Sequence, residues 1–161
     1  MGTLTLKAVE AGDEATLRHL HAAVRSEELQ MESWEPELRD RMLRTQFDAQ
    51  RRGYRERFPP ADEQLILHDH SPVGWLIVDR SGPALRCIDI AIVPEQRNQG
   101  IGTHVFRALQ EEAAAGDRPL VVTVLRLNLR ALALYGRLGF RATEEDGAQA
   151  ADPYLRMEWR R

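Results

Sequence analysis

The stretch IAIVPEQRNQGIG (residues 90–102) constrains the fold more than any other. An apolar, strand-like run stops at Pro94, and a turn rich in charged and amide side chains follows. Gly100 and Gly102 then open a segment of helical periodicity. A strand-to-helix turn without Cβ atoms lets another molecule approach the backbone closely. The first N–H groups of a helix lack intrahelical partners and carry the positive end of its dipole, so such a turn suits an anion such as pyrophosphate. Arg97, Asn98 and Gln99 add side-chain donors. On the glycines alone, a turn shaped only to lead a strand into a helix is an equally good reading.

Two phosphate motifs are excluded. A P-loop requires Gly-Lys-Ser/Thr at the helix start, where this chain has Gly102-Thr103-His104. A dinucleotide fingerprint requires a third glycine, and position 105 is Val.

The surrounding pattern is that of an α/β chain. TLTLKAV (3–9) alternates as a half-buried strand does, and Asp13 is placed to cap a helix to about Leu29 with Leu17, Leu20 and Val24 inside. Pro36 opens a second helix with a stripe of Leu43, Phe47, Tyr54 and Phe58, stopped by the prolines at 59 and 60. EQLILHD, PVGWLIVD and ALRCIDIAIV read as strands joined by short, turn-rich linkers, hence as antiparallel hairpins. After the glycine turn come a helix (101–116), the apolar strand PLVVTVLRL and a short helix capped by Asn128 and stopped by Gly139. Two closing strands, FRATEE and DPYLRMEWR, complete the chain. The order β-α-α-β-β-β-α-β-α-β-β predicts one domain over 1–161. Its single mixed sheet is mostly antiparallel, with one parallel pair and helices on both faces.

Composition narrows the classes. A net charge of −3 gives no electrostatic reason to expect nucleic acid, and no apolar run reaches the length of a membrane span. The N-terminal stretch lacks the pattern of a secretory signal. Cys87 is the only cysteine, which excludes an intrachain disulfide and fits a reducing, cytoplasmic location, with Cys87 itself a small core residue. The five histidines fall at no metal-ligand spacing, so no metal is expected.

The turn has a companion about 26 residues on, NLRALALYGRLGF (128–140). R-x-x-G-x-G after a strand, followed by N-x(6)-Y-x-x-x-G-F, resembles the GNAT superfamily of N-acetyltransferases. The resemblance is close over about residues 63–145 and extends to the rest through element order. It implies the GNAT fold, with a strand splaying from its parallel neighbour, and acetyl-CoA as cosubstrate. It implies that backbone groups of Ile92 and Val93 meet the pantetheine arm. Arg97, Asn98, Gln99, Gly100, Ile101, Gly102 and Thr103 would hold the pyrophosphate. Asn128 would contact the cofactor arm, and the Tyr135 hydroxyl would lie near the thioester sulfur. A second glycine commonly follows the family's arginine, and here that position is Asn98.

The reaction so implied is direct acetyl transfer to a primary amine of a small molecule or peptide. It needs a neutral amine, donors for an oxyanion and a proton for the leaving thiolate. The Val93 N–H is a candidate oxyanion donor and Tyr135 a candidate acid, although Tyr135 shares a helical face with Leu132 and Leu138, where a packing role explains it equally. Some family members carry a glutamate near the position of Thr123, which cannot act as a base. Asp89 is the local substitute, with a structural arginine pair as its competing explanation. Gln46 and Gln50, with Tyr54, interrupt the apolar face of the second helix and are candidate acceptor-binding residues; a solvated helix edge is the alternative. Trp34 and Trp75 are further candidates for that region. Two rival functions remain: a non-catalytic CoA or acyl-CoA sensor module, and an acetyltransferase of protein or peptide N-termini. A homodimer is compatible with either.

Overall fold

The computed structural model describes residues 2–143 and 152–161. The elements are β1 (Leu4–Ala8), α1 (Glu14–Glu28), α2 (Pro36–Arg57), β2 (Asp62–His68), β3 (Ser71–Asp79), β4 (Leu85–Ile92), α3 (Ile101–Ala115), β5 (Leu120–Leu125), α4 (Leu129–Arg137), β6 (Arg141–Ala142) and β7 (Tyr154–Trp159). Three short 3-10 turns, at Ala11–Asp13, Met31–Ser33 and Pro94–Gln96, punctuate them. The order of elements matches the one the sequence predicts. Among the described residues seven strands are hydrogen-bonded in the order β1-β2-β3-β4-β5-β7-β6, and the fold is a mixed sheet with four α-helices.

The chain divides into two compact units, residues 1–77 with 89–101 and residues 78–88 with 102–161. In the first, β1 pairs antiparallel with β2 from Leu4↔His68 to Ala8↔Gln64. β2 turns into β3 through Asp69 and His70, whose φ values of 50° and 70° are both positive, as a two-residue hairpin turn demands. Asp and His visit that region more readily than most residues, and the Asp69 carboxylate also accepts a hydrogen bond from the Thr3 N–H at 2.8 Å. Leu17, Leu20 and Val24 of α1 and Leu43 and Phe47 of α2 are buried as their spacing predicts. Each such side chain contributes roughly 1.5–3 kcal/mol when fully removed from water.

Asp13 does not cap α1. Its carboxylate accepts from the Glu10 N–H at 2.9 Å and from Lys7 Nζ at 2.8 Å, closing a capping box on the preceding 3-10 turn. The physical reason is that the turn begins three residues earlier than the helix, and its orphan N–H groups compete for the same carboxylate.

Gly74 in β3 is required by close approach. A Cβ there would lie 2.1 Å from the Ala91 carbonyl oxygen and 3.2 Å from Ile92 Cα. The backbone at the end of β4 therefore passes over β3 where only glycine leaves room.

In the second unit, Leu120, Val121 and Val122 of β5 are consecutive and all at most 1% exposed, so both faces of this strand are covered. β5 pairs antiparallel with β7 and parallel with β4. The parallel ladder covers three pairs, Leu85↔Leu120 to Cys87↔Val122, and ends there although each strand continues. Cys87 is buried, as expected of a small core residue. Asn128 caps α4, its Oδ1 accepting from the Ala131 N–H at 3.1 Å. At the other end Gly139 takes φ 88°, and the buried Gln110 donates from Nε2 to the Leu138 carbonyl at 2.8 Å. Of the predicted strand FRATEE only Arg141–Ala142 is extended, and Glu144 and Glu145 lie outside the described residues. Among the described residues no helix is long and apolar enough to cross a membrane.

Candidate functional site

The first unit carries a half-open cavity of about 30 Å³, room for a water molecule or two, between α1, α2, β3 and β4. Its walls include His21, Phe47, Gln50, Tyr54, Trp75 and Asp89. Helical spacing brings four of them in: His21 lies on the Leu17–Leu20–Val24 stripe of α1, and Phe47, Gln50 and Tyr54 recur at intervals of three and four on α2. Strand alternation turns Asp89 of β4 to the same face.

Asp89 is the centre of a polar cluster. Its Oδ2 accepts from Trp75 Nε1 at 2.8 Å and from Gln50 Nε2 at 3.3 Å, and the Tyr54 hydroxyl donates to the same carboxylate. Gln50 Nε2 also donates to the Tyr54 oxygen at 3.0 Å, and Gln50 Oε1 lies 3.0 Å from His21 Nε2. The His21 ring stacks on Trp75 at 6.1 Å and meets Phe47 edge-on at 5.3 Å.

Burial pushes the Asp89 carboxyl above the ordinary carboxylate range, opposed by its hydrogen bonds and by the nearby Arg25 charge. Burial and the neighbouring Asp89 charge push the Tyr54 phenol up to about 12, so at neutral pH it is a donor and not an anion. Burial, with the Arg25 charge, pulls the His21 imidazole below its usual value and keeps it neutral. A carboxyl with raised proton affinity in a small cavity, ringed by neutral donors, is suited to accepting a proton near neutral pH.

At the glycine turn, Asn98 takes φ 61° and Gly100 φ 81°. Position 98 therefore needs the left-handed region, and Asn is one of the few residues besides glycine that adopts it at low cost. This accounts for the departure from the family's glycine. Arg97 has a different setting from the one expected of a phosphate ligand. Its N–H closes on the Pro94 carbonyl at 3.2 Å, its Nε donates to the Ile92 carbonyl at 2.9 Å, and its Nη1 pairs with Glu27 at 2.8 Å. The side chain thus braces the turn against β4 and α1. The Val93 N–H donates to the Val73 carbonyl at 2.9 Å. The group expected as an oxyanion donor is thus engaged in the pairing of β3 with β4.

In the second unit, Gly102 packs against Leu134, 3.4 Å from where its Cβ would stand, and Asn128 is exposed at the head of α4. Tyr135 is buried, with its ring edge-to-face on Phe106 at 5.1 Å and tilted against Phe140 at 5.4 Å. The packing role foreseen for the ring is therefore real, whatever its hydroxyl does.

Of the remaining candidates, Gln50, Tyr54 and Trp75 join the cavity. Gln46 does not line it, although its Oε1 is enclosed without a hydrogen-bond partner. Trp34 is 37% exposed and lies apart from the cavity lining. His21 is the residue that sequence reasoning missed. Its position on the buried stripe of α1 was the available signal, since a histidine there must enter the core. No metal-binding cluster exists among the described residues.

Comparison with known proteins points one way. The sequence profile of the Acetyltransferase (GNAT) family matches residues 23–140. An uncharacterized N-acetyltransferase of Bacillus subtilis (strain 168), YobR, is 31% identical over 102 residues, which span 58% of this chain and 40% of that protein. The chain thus matches less than half the length of this curated relative. The PaiA N-acetyltransferase of Thermoplasma acidophilum, solved with coenzyme A, superposes with a TM-score of 0.71 at 14% identity, covering 99% of each chain. An acetyltransferase of Thermus thermophilus gives 0.70 at 20% identity over the whole of both chains. With its strand order, its glycine turn and a profile match across most of its length, this chain belongs to the GNAT family of acetyltransferases.

Proposed function

We propose that the protein is an acetyl-CoA-dependent N-acetyltransferase that transfers acetyl directly to a primary amine of a small molecule or peptide. The observation that carries the acceptor half of this reading is the enclosed Asp89 carboxyl, with raised proton affinity, in a cavity formed by α1, α2, β3 and β4. The donor half is supported by family membership and by a turn whose positive-φ residues, Asn98 and Gly100, lead into α3.

Acetyl-CoA supplies the acyl group as a thioester. The N–H groups from Asn98 through Thr103 suit its pyrophosphate, with Arg97 as the brace of that turn. The Ile92 and Val93 carbonyls each keep a second lone pair for the pantetheine arm. Asn128, whose Oδ1 is held by its helix, retains an amide NH2 for the same arm. Gln50 and Tyr54 orient the acceptor, with Gln46 as a further candidate. As the amine nitrogen forms its bond to the acyl carbon, its proton passes to Asp89. The C–S bond breaks and the sulfur leaves as thiol, with Tyr135 as the proton source. The lone Cys87 stays reduced in the cytoplasm, where we place the protein.

A library of small amines and peptides, read by CoA thiol release, tests the reading. Turnover with at least one amine is expected, together with its loss in Tyr135→Phe and loss of CoA binding in Gly100→Glu. Tight CoA binding without thiol release from any amine would establish the sensor reading in its place.

A further inference from the structure

His21 meets Gln50 through one ring nitrogen, Nε2, at 3.0 Å, while Nδ1 is enclosed without a hydrogen-bond partner. A glutamine amide has one acceptor end and one donor end, and the partner of one end decides what the other presents. Here the NH2 of Gln50 faces the Asp89 carboxylate and the Tyr54 oxygen, so Oε1 faces His21 and the imidazole carries its proton on Nε2. Reversing that amide would set a carbonyl against Asp89, which favours the protonated acid over the carboxylate.

We propose that His21 is a positioning residue: by donating from Nε2 it holds the Gln50 amide with its NH2 towards Asp89 and so sets the protonation state of the carboxyl that receives the amine's proton. The proposal rests on the reading of Asp89 as the base. The other groups acting on Asp89 are accounted for. Trp75 from β3 and Tyr54 from α2 donate to it, Arg25 of α1 favours its charge and Glu28 opposes it. Arg51 and Glu63, which line the same cavity, pair with each other. His21 is thus the group shown holding the acceptor end of Gln50, and its burial favours the neutral imidazole.

The test is the pH dependence of kcat/KM for the wild type, Asp89→Asn, His21→Phe, His21→Gln and Gln50→Met, with CoA affinity measured alongside. The wild type should show an acid-side limb that Asp89→Asn abolishes. His21→Phe keeps an aromatic ring against Phe47 and Trp75 but removes the donor, and should move the limb upward by about half a pH unit or more. CoA affinity should stay within about twofold. His21→Gln, whose amide N–H reaches about as far as Nε2, should restore the limb, and Gln50→Met should shift it as His21→Phe does. A limb indifferent to His21→Phe, or moved equally by His21→Gln, overturns this inference alone. A limb that survives Asp89→Asn overturns the base assignment and this inference with it.

Discussion

The indole Nε1 of Trp75 donates a 2.8 Å hydrogen bond to Oδ2 of Asp89, across the pairing of β3 with β4. This contact joins a residue that would otherwise be core packing to one that would otherwise be a costly buried acid. Trp75 is 5% exposed, so its N–H needs a partner, and Asp89 needs donors to remain charged when enclosed. Replacing Trp75 by Phe keeps most of the apolar volume and removes the donor. Stability by urea denaturation at pH 7 should fall by about 1–3 kcal/mol, the usual cost of leaving an enclosed polar group short of a partner. An unchanged midpoint would mean that water takes the indole's place without loss.

The raised proton affinity of Asp89 makes stability depend on pH with a definite sign. Unfolded, an Asp titrates near about 3.9. In the folded protein the value is higher, so between the two the native state binds more protons than the unfolded state. Stability from this group therefore falls as pH rises through that window and is flat above the folded value. Asp13 and Asp79, whose carboxyls are held below the ordinary range by Lys7 and Ser81 respectively, act in the opposite sense. The difference between wild type and Asp89→Asn isolates the effect. The variant should gain relative stability progressively from about pH 4 upward, and a flat difference curve from pH 4 to 8 would contradict the enclosed-acid description.

Gly74 gives a sharper structural test. Its missing Cβ would stand 2.1 Å from the Ala91 carbonyl oxygen, a backbone atom that cannot rotate away. Gly74→Ala should therefore displace the end of β4, costing about 1–3 kcal/mol or more as overpacking does. CoA binding, measured by calorimetry, should weaken with it, because Ile92 and Val93 move. Gly12→Ala, where nothing lies within 4 Å, is the control and should leave both quantities unchanged.

Sequence periodicity carried most of the fold, for identifiable reasons. Leu17, Leu20, Val24, Leu43 and Phe47 recur at helical spacing, and β5 is a largely apolar run rich in β-branched residues, so hydrophobic pattern set their environment. Asp89, Gln50 and Tyr54 were legible as candidates because polar residues on otherwise apolar faces stand out. The partners of those residues were not legible. Trp75, His21 and Asp89 are 14 to 68 positions apart, and which donor meets which acceptor depends on strand register and helix rotation that no local pattern encodes. The engagement of the Val93 N–H by Val73 and of Arg97 by Glu27 was hidden for the same reason.

At Asn98 the backbone conformation, and not the side chain's chemistry, is the predicted requirement. With φ at 61°, Asn98→Gly should hold stability within a few tenths of a kcal/mol and preserve CoA affinity. Asn98→Val forces a β-branched residue into the left-handed region at a cost of about 1–2 kcal/mol and should loosen the turn. A valine variant with wild-type CoA affinity would show that the turn tolerates another path.

Arg97 separates two descriptions of a basic residue beside the turn we propose for the pyrophosphate. If its charge acted on the pyrophosphate, neutralising its partner by Glu27→Gln would free that charge and tighten CoA binding. The geometry argues for a brace: Nε is fixed to the Ile92 carbonyl at 2.9 Å, Nη1 to Glu27 at 2.8 Å, and the Arg97 side chain is only 16% exposed. A fork that grips two partners at once is a property of guanidinium that an ammonium does not reproduce. Arg97→Lys and Glu27→Gln should therefore both weaken CoA binding severalfold, and the double variant should be little worse than either alone, since both remove one contact. Global stability should change by about 1 kcal/mol or less, as expected of a partly exposed pair. Calorimetric titration with CoA at two salt concentrations decides between them. A brace leaves the salt dependence of the wild type intact in Arg97→Lys and Glu27→Gln, whereas tighter binding in Glu27→Gln would return Arg97 to the phosphate.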